Sequence, residues 1–330
     1  MRMEYPFFAE LTVETYLHGV RIDSFLTKHF RNYTPFRMQR IVRAGQVRIE
    51  GAVALADDRV FKGQSVAVRL IEPPDHLLDP EPVPIEVLYE DPWLVVVNKP
   101  AGVVVHPCGN HSRGSLANAL QSHFDRQTRL PGLIRPGVVH RLDRLTSGVI
   151  VLTKDHLAHR RLSIHFQQGQ ISKTYLALVH GVVTADAGEI DLPIGETPGG
   201  ETIRMSTAAD SVDARASKTR YEVCQRFERF TLVKAMPLTG RLHQIRVHLA
   251  AIGHPVAADE FYSPSAALTH ADLSGALAVA GAKPVIERQA LHARELRFVH
   301  PIRREVVTFE APLPADMAAA VAALTESRPI

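Results

Sequence analysis

The chain has 330 residues, 45% of them hydrophobic and 22% charged, with a formal net charge of +3. That supplies a sizeable core and excludes a disordered or low-complexity protein, while the lack of any apolar run near about 18 residues argues against a membrane span. The two cysteines, Cys108 and Cys224, cannot build a disulfide framework or a four-cysteine zinc site, and they fit a reducing compartment.

The opening MRMEYPFFAE carries Glu4 and Glu10 and lacks the long apolar stretch of a signal peptide, so a soluble, cytoplasmic protein is expected. Between Arg21 and Arg48 the basic residues Arg21, Lys28, Arg31, Arg37, Arg40, Arg43 and Arg48 meet a single acid, Asp23. Arginine far outnumbers lysine along the chain. Guanidinium groups make planar, bidentate contacts to phosphate that ammonium groups cannot make. RIDSFLTKHF places Ile22, Phe25, Leu26 and Phe30 at helical spacing. In TPFRMQRIVRAG, Thr34 suits an N-cap, Pro35 the first helical position and Gly45 the end. On that helix Arg37, Arg40 and Arg43 recur every third residue as a basic stripe, with Ile41 and Val42 turned elsewhere. QVRIEG and SVAVRL then alternate as strands. Two helices and a small sheet with one basic helix face suit an RNA-binding module.

The run IEPPDHLLDPEPVPI contains Pro73, Pro74, Pro80, Pro82 and Pro84 and is expected to be an extended linker. The chain therefore divides into a module at residues 1–72, a linker at 73–85 and a larger segment at 86–330. In the larger segment WLVVVNKPAGVVVH, GVIVLTK, TYLALVHGVV, TRYEVCQRF and FTLVKAMPL read as strands. SLANALQSHF and LAHRRLSIHFQQ read as helices. No regular βαβ period links them, which predicts an α+β fold with a mainly antiparallel sheet. The Ala-, Ser- and Gly-rich stretch from Ser263 to Pro284 is expected to be an insertion or a mobile loop.

Four stretches of this segment hold residues suited to chemistry: NKPAG (Asn98–Gly102), HRLDRLTSG (His140–Gly148), SKTYLALV (Ser172–Val179) and GRLHQIRVH (Gly240–His248). His140, His243, His248 and His254 could ligate a metal. However, His243 and His248 are not the i, i+4 pair of a helical zinc site, and no metal is expected. Asp143 has no second carboxylate two residues on, as a phosphoaspartyl enzyme would. Ser147 lacks a nucleophile elbow, and no Gly-rich phosphate loop is present. A glycosidase would set two carboxylates across the bond, and no second acid accompanies Asp143. What remains is one carboxylate, several arginines, a tyrosine and a chain suited to holding RNA.

This combination resembles the RluA-type pseudouridine synthases. HRLDRLTSG matches the family's His-Arg-Leu-Asp-x-x-Thr-Ser-Gly motif, and NKPAG, KTY and GRLHQIRVH accompany it in the family's order. Leu242 departs from the pattern, which more often has a small or hydroxyl residue there. Residues 20–70 in turn resemble the S-four-type RNA-binding module. The resemblance implies an isomerase that cuts the glycosidic bond of a uridine, turns the base and rejoins it through carbon, with no cofactor. It implies Asp143 as the nucleophile, which must be ionised in a site that excludes water. Arg246 is the implied guanidinium partner, since a nearby positive charge favours the carboxylate. Tyr175 is implied to lie against the base, by stacking or by handling a proton. Arg141 is implied to enter the space left when the uridine is taken out of its stack. Arg241, His243 and Lys99 are expected to contact the RNA, together with Arg37, Arg40 and Arg43. Thr146, Ser147 and Gly148 fit a tight turn, and His140 suits packing or hydrogen bonding rather than catalysis. The implied target lies in large-subunit ribosomal RNA, with transfer RNA as the alternative. A non-catalytic RNA-binding or ribosome-assembly factor is the rival of a different class. No obligate protein partner is implied.

Overall fold

A computed structural model describes residues 7–71, 78–108, 113–128, 131–199, 204–275 and 282–326. The first of these stretches closes on its own core. The helix Ile22–His29 buries Ile22, Phe25 and Leu26, and the helix Pro35–Arg43 buries Met38, Ile41 and Val42. Thr34 caps the second helix by accepting from the Arg37 amide at 3.3 Å. Arg40 and Arg43 are exposed and Arg37 is half-buried, so the basic stripe lies away from the buried face. Both helices pack on a four-stranded antiparallel sheet, in the order Phe7–Thr12, Ser65–Leu70, Val47–Ile49, Ala52–Val53. The last two strands form a hairpin whose turn residues, Glu50 and Gly51, both have positive φ (50° and 82°), as its tight mirror-image turn requires.

The larger segment is built on a sheet of ten strands among the described residues. Its path runs Ala187–Asp191, Lys218–Arg226, Phe230–Pro237, Ser172–His180, Leu291–Val299, Ser147–Thr153, Leu94–Lys99, Glu86–Glu90. Val306–Glu310 joins beside Leu291–Val299, and Gly137–Val138 beside Ser147–Thr153. The α+β class and the mainly antiparallel sheet are as expected. One joint differs from the rest. Leu291–Val299 runs parallel to Ser147–Thr153 and pairs with it only at His292↔Ser147 and Ala293↔Gly148. Beyond that point its residues pair with Val306–Glu310 instead. Gly148 has φ +118°, and a Cβ there would lie 2.2 Å from the Ala293 carbonyl oxygen. Only glycine lets the two halves of the sheet meet this closely. Each half has its own core, and Tyr175 packs against both.

Several expectations change. The run from Trp93 to His106 is a strand only over Leu94–Lys99. Pro100 removes a donor, Gly102 turns the chain at φ +89°, and the carbonyls of Val104 and Val105 accept from Leu116 and Ala117 instead of a neighbouring strand. The strand beginning at Ser172 ends at His180, before Gly181 with φ +78°. Ser263–Pro284 is not merely a loop. Thr269 caps a short helix, His270–Ser274, and Leu268 and Leu273 are buried in the core. Residues 276–281 lie outside the described residues, as do residues 72–77 of the proline-rich run. Asp79 and Glu81, farther along that run, are tied to the helix Leu116–Gln127 through backbone and side-chain bonds to Asn118. No helix among the described residues is long and apolar enough to cross a membrane.

Candidate active site

The site lies where the two halves of the sheet meet. Asp143 sits in the turn just before Ser147–Thr153, closed by the Thr146 amide donating to the Asp143 carbonyl at 3.1 Å. Ser147 Oγ lies 3.0 Å from His292 Nδ1, and Gln289 Nε2 donates to Thr146 Oγ1 at 3.3 Å. The hydroxyls of the motif are thus used to fix the turn. Tyr175 lies on the next strand but one, in register with Ala293, which is itself in register with Gly148. This register carries Tyr175 to the same cavity as Asp143. His140 is stacked on Phe166 at 4.4 Å and accepts from the Val151 amide at 3.1 Å. Burial, followed by the Lys173 charge, depresses its pKa to about 3, so it is a neutral packing group.

GRLHQIRVH forms the start of a helix. His243 adopts a left-handed conformation with φ 54°, and Gln244–Ala251 is helical from there. The Gln244 side chain fixes the entry: its Oε1 accepts from Thr239 Oγ1 and the Arg241 amide, and its Nε2 donates to the Lys218 carbonyl. Arg246 is thereby aimed inward, only 2% exposed. Its Nη1 donates to Asp143 Oδ2 at 3.0 Å. Its Nε and Nη2 donate to the two oxygens of Asp259 at 2.6 and 2.8 Å. The guanidinium carbon also lies 5.5 Å from the Phe261 ring and 5.3 Å from the Tyr262 ring. Burial opposes the charge, but Asp259 and then Asp143 hold the Arg246 pKa above its ordinary value.

A cavity of about 630 Å³ opens onto this cluster. Asp143, Tyr175, Arg246, Arg141, Arg241 and His243 all line it, with Phe166, Ile171 and Leu291 as apolar wall. A cavity of this size is in the range of small-ligand sites, with apolar walls and a few polar groups. Arg141 is exposed at the rim. Arg241 is exposed too, and its Nε donates to the Ala216 carbonyl at 3.3 Å. His243 Nδ1 lies 3.0 Å from the Tyr262 hydroxyl. Burial and the Arg246 charge push the His243 pKa down to about 4, so the ring is neutral near pH 7. Burial, with the Asp143 charge, pushes the Tyr175 phenol well above its ordinary range and keeps it protonated.

The structure thus brings together Asp143, Tyr175, Arg246, Arg141, Arg241 and His243. Arg37, Arg40 and Arg43 belong to the separate N-terminal sheet and helices and do not line this cavity. Lys99 corrects the sequence reading. It is fully buried, and its Nζ donates to the carbonyls of Pro100, Val103 and Arg144 at 2.8, 2.9 and 3.2 Å. An amine spent on three carbonyls behind the Asp143 turn cannot reach a phosphate. Three residues went unread. Asp259, Phe261 and Tyr262 hold Arg246 and His243, and only an acid followed closely by two aromatics hinted at them. Lys173, within the KTY run, also lines the cavity. Its Nζ donates to the Thr239 carbonyl at 3.0 Å, and burial lowers its pKa to about 8.

A family model described as RNA pseudouridylate synthase matches residues 93–251. The chain is 37% identical over 309 residues to an uncharacterized RNA pseudouridine synthase, YlyB, of Bacillus subtilis, covering 94% of this chain and 95% of that protein. It is 38% identical over 316 residues to the ribosomal large subunit pseudouridine synthase D of Nitrosomonas europaea, covering 96% and 87%. Among solved structures, human RNA pseudouridylate synthase domain containing 4 superposes with a TM-score of 0.55 at 28% identity, covering 73% of this chain and 93% of that one.

Proposed function

The chain belongs to the RluA-type RNA pseudouridine synthases, which are isomerases, and we propose that it converts uridines of large-subunit ribosomal RNA with Asp143 as the nucleophile. The observation that carries the assignment is the position of Asp143. Its carboxylate faces the cavity and is held by one charge-assisted bond from a guanidinium that Asp259 fixes from behind. One oxygen is steadied by Arg246, and the side chain remains partly exposed toward the cavity.

In the reaction the bond from C1′ to N1 of uracil breaks and a bond from C1′ to C5 forms. The proton on C5 leaves, N1 regains one, and the atoms balance without a cofactor. Asp143 attacks, forms a covalent intermediate and departs again. Arg246 stabilises the carboxylate each time its charge returns. Tyr175 lies against the base and, being protonated, offers a hydrogen-bond donor rather than a ready base. Arg141, exposed at the rim, fills the stack from which the uridine is drawn. Arg241 and His243 line the path of the strand. Residues 1–72 act as an RNA-binding module whose Arg37, Arg40 and Arg43 meet phosphate, residues 73–85 as the linker and 86–330 as the catalytic domain. The ribosomal target is supported by the large-subunit enzyme among the relatives.

The test is Asp143→Asn, assayed by tritium release from RNA labelled at C5 of uridine. The variant should bind RNA as the parent does and release no tritium above background. Near-normal turnover would remove Asp143 from this role.

A further inference from the structure

Glu14 follows the first strand, His29 ends the helix Ile22–His29, and His156 opens the helix His156–Gln167 of the larger segment. None of the three lines the cavity, and the proposed reaction uses none of them. Their three ligand atoms fall within 4.8 Å of one another. His156 Nε2 lies 3.0 Å from Glu14 Oε1, and His29 Nε2 lies 3.5 Å from Glu14 Oε2. The two imidazole rings are 4.0 Å apart and tilted by 59°, so they do not stack. Their side chains are only 11% and 10% exposed. Yet His29 Nε2, His156 Nε2 and Glu14 Oε2 are all buried without a hydrogen-bond partner. The groups are close but not directed at one another, which is costly unless something lies between them.

We propose that Glu14, His29 and His156 bind a divalent transition-metal ion, zinc by its donor set, that staples the N-terminal module to the larger segment. Ligand atoms around a tetrahedral zinc stand roughly 3.3 Å apart, given bonds of about 2.0–2.1 Å. The separations of 3.0 and 3.5 Å, one to each Glu14 oxygen, lie on either side of that value. Asp155 Oδ2 lies 3.3 Å from His156 Nδ1, while Asp155 Oδ1 is fixed by the Ala158 amide at 2.9 Å. A carboxylate there holds the proton on Nδ1 and leaves the Nε2 lone pair for the metal. Glu14 and Asp155 together balance the two positive charges. Glu14 also lines a neighbouring cleft of about 500 Å³, with Tyr16 and Lys62, and a water would complete the four-coordinate set. Without a metal the cluster would hold a proton. Burial opposes it, but Asp155 and Glu14 push the His156 pKa up to about 9. A metal would have to displace that proton.

The experiment uses the untagged full chain, stripped with a chelator and titrated with zinc chloride and, separately, cobalt chloride. One zinc should bind per chain, and the thermal midpoint should rise with free zinc. Cobalt should give the strengthened visible bands of a low-coordinate site. Glu14→Gln and His29→Gln should each abolish both effects, and Asp155→Asn should weaken zinc binding about 10–100-fold. His123→Gln, at a histidine paired with Glu90 elsewhere, should change nothing. No zinc uptake, or uptake that survives both ligand changes, would overturn the proposal and leave a proton-bridged ion cluster. Should either ligand variant fail to fold, the cobalt spectrum of the parent decides alone. The weak bands of hydrated cobalt would reject the site.

Discussion

Asp259→Asn separates what holds the active site from what reacts in it. Asp259 is completely buried and receives two bonds, at 2.6 and 2.8 Å, from an arginine that is itself only 2% exposed. Its Oδ1 also accepts from the Phe261 amide at 3.0 Å. Asparagine keeps the shape but turns one N–H toward the guanidinium, and the charge is lost. Removing one partner of a buried ion pair costs about 3–5 kcal/mol, because the other charge stays buried. Asp143 is bound to the same arginine by one bond at 3.0 Å and has a side chain 21% exposed. Water can replace that contact in part, so Asp143→Asn should cost about 1 kcal/mol or less. Equilibrium urea unfolding, read as the midpoint shift at unchanged slope, gives both values. Activity should rank the other way: Asp143→Asn is inactive, whereas Asp259→Asn retains a measurable rate. Equal stability losses, or a loss below about 1 kcal/mol at Asp259, would refute the view that Arg246 is anchored from behind.

Changing Arg37, Arg40 and Arg43 together to alanine should weaken RNA binding and reduce the slope of log K against log salt by roughly 2–3, if each meets one phosphate. Filter binding across a salt series measures it, and an unchanged slope would leave the stripe as a solvated face. Arg141→Ala should lose more single-turnover rate on a uridine held in a stem-loop than on an unstructured strand, while Arg246→Ala loses similarly on both. Equal deficits for Arg141→Ala would make it a positional phosphate contact. Lys173, with its pKa lowered to about 8 by burial, should give RNA affinity that falls as pH rises through that value. The folded state there binds fewer protons than the unfolded one, so the stability term is greatest above about 10 and is lost as pH falls toward 8. Lys173→Met should flatten both profiles, and unchanged profiles would show that another group titrates.

Elements whose signals are local are legible in the amino-acid order alone. Thr34 and Pro35 started a helix because a cap and a fixed φ act within one turn, and the alternation in SVAVRL predicted the strand Ser65–Leu70. Asp143, Tyr175 and Arg246 were legible because motif order carried them, and the structure lines all three along one cavity. Tertiary structure decided what depends on approach through space. Gly148 looked like turn chemistry, and only the parallel joint with Ala293 shows a contact no side chain would permit. Lys99 is expected from the sequence to contact RNA because sequence does not reveal which way a strand's last residue points, and here it points inward to three carbonyls. Asp259, thirteen residues beyond Arg246, became its anchor because the helix Gln244–Ala251 and the turn after it fold back together. Glu14, His29 and His156 meet only because the module docks, with Asn32 Nδ2 donating to the Gly132 carbonyl and Leu133 packed on the module's core. Spacing rules find ligands that share a helix or a loop, and these three share neither, so nothing short of the folded chain could place them together.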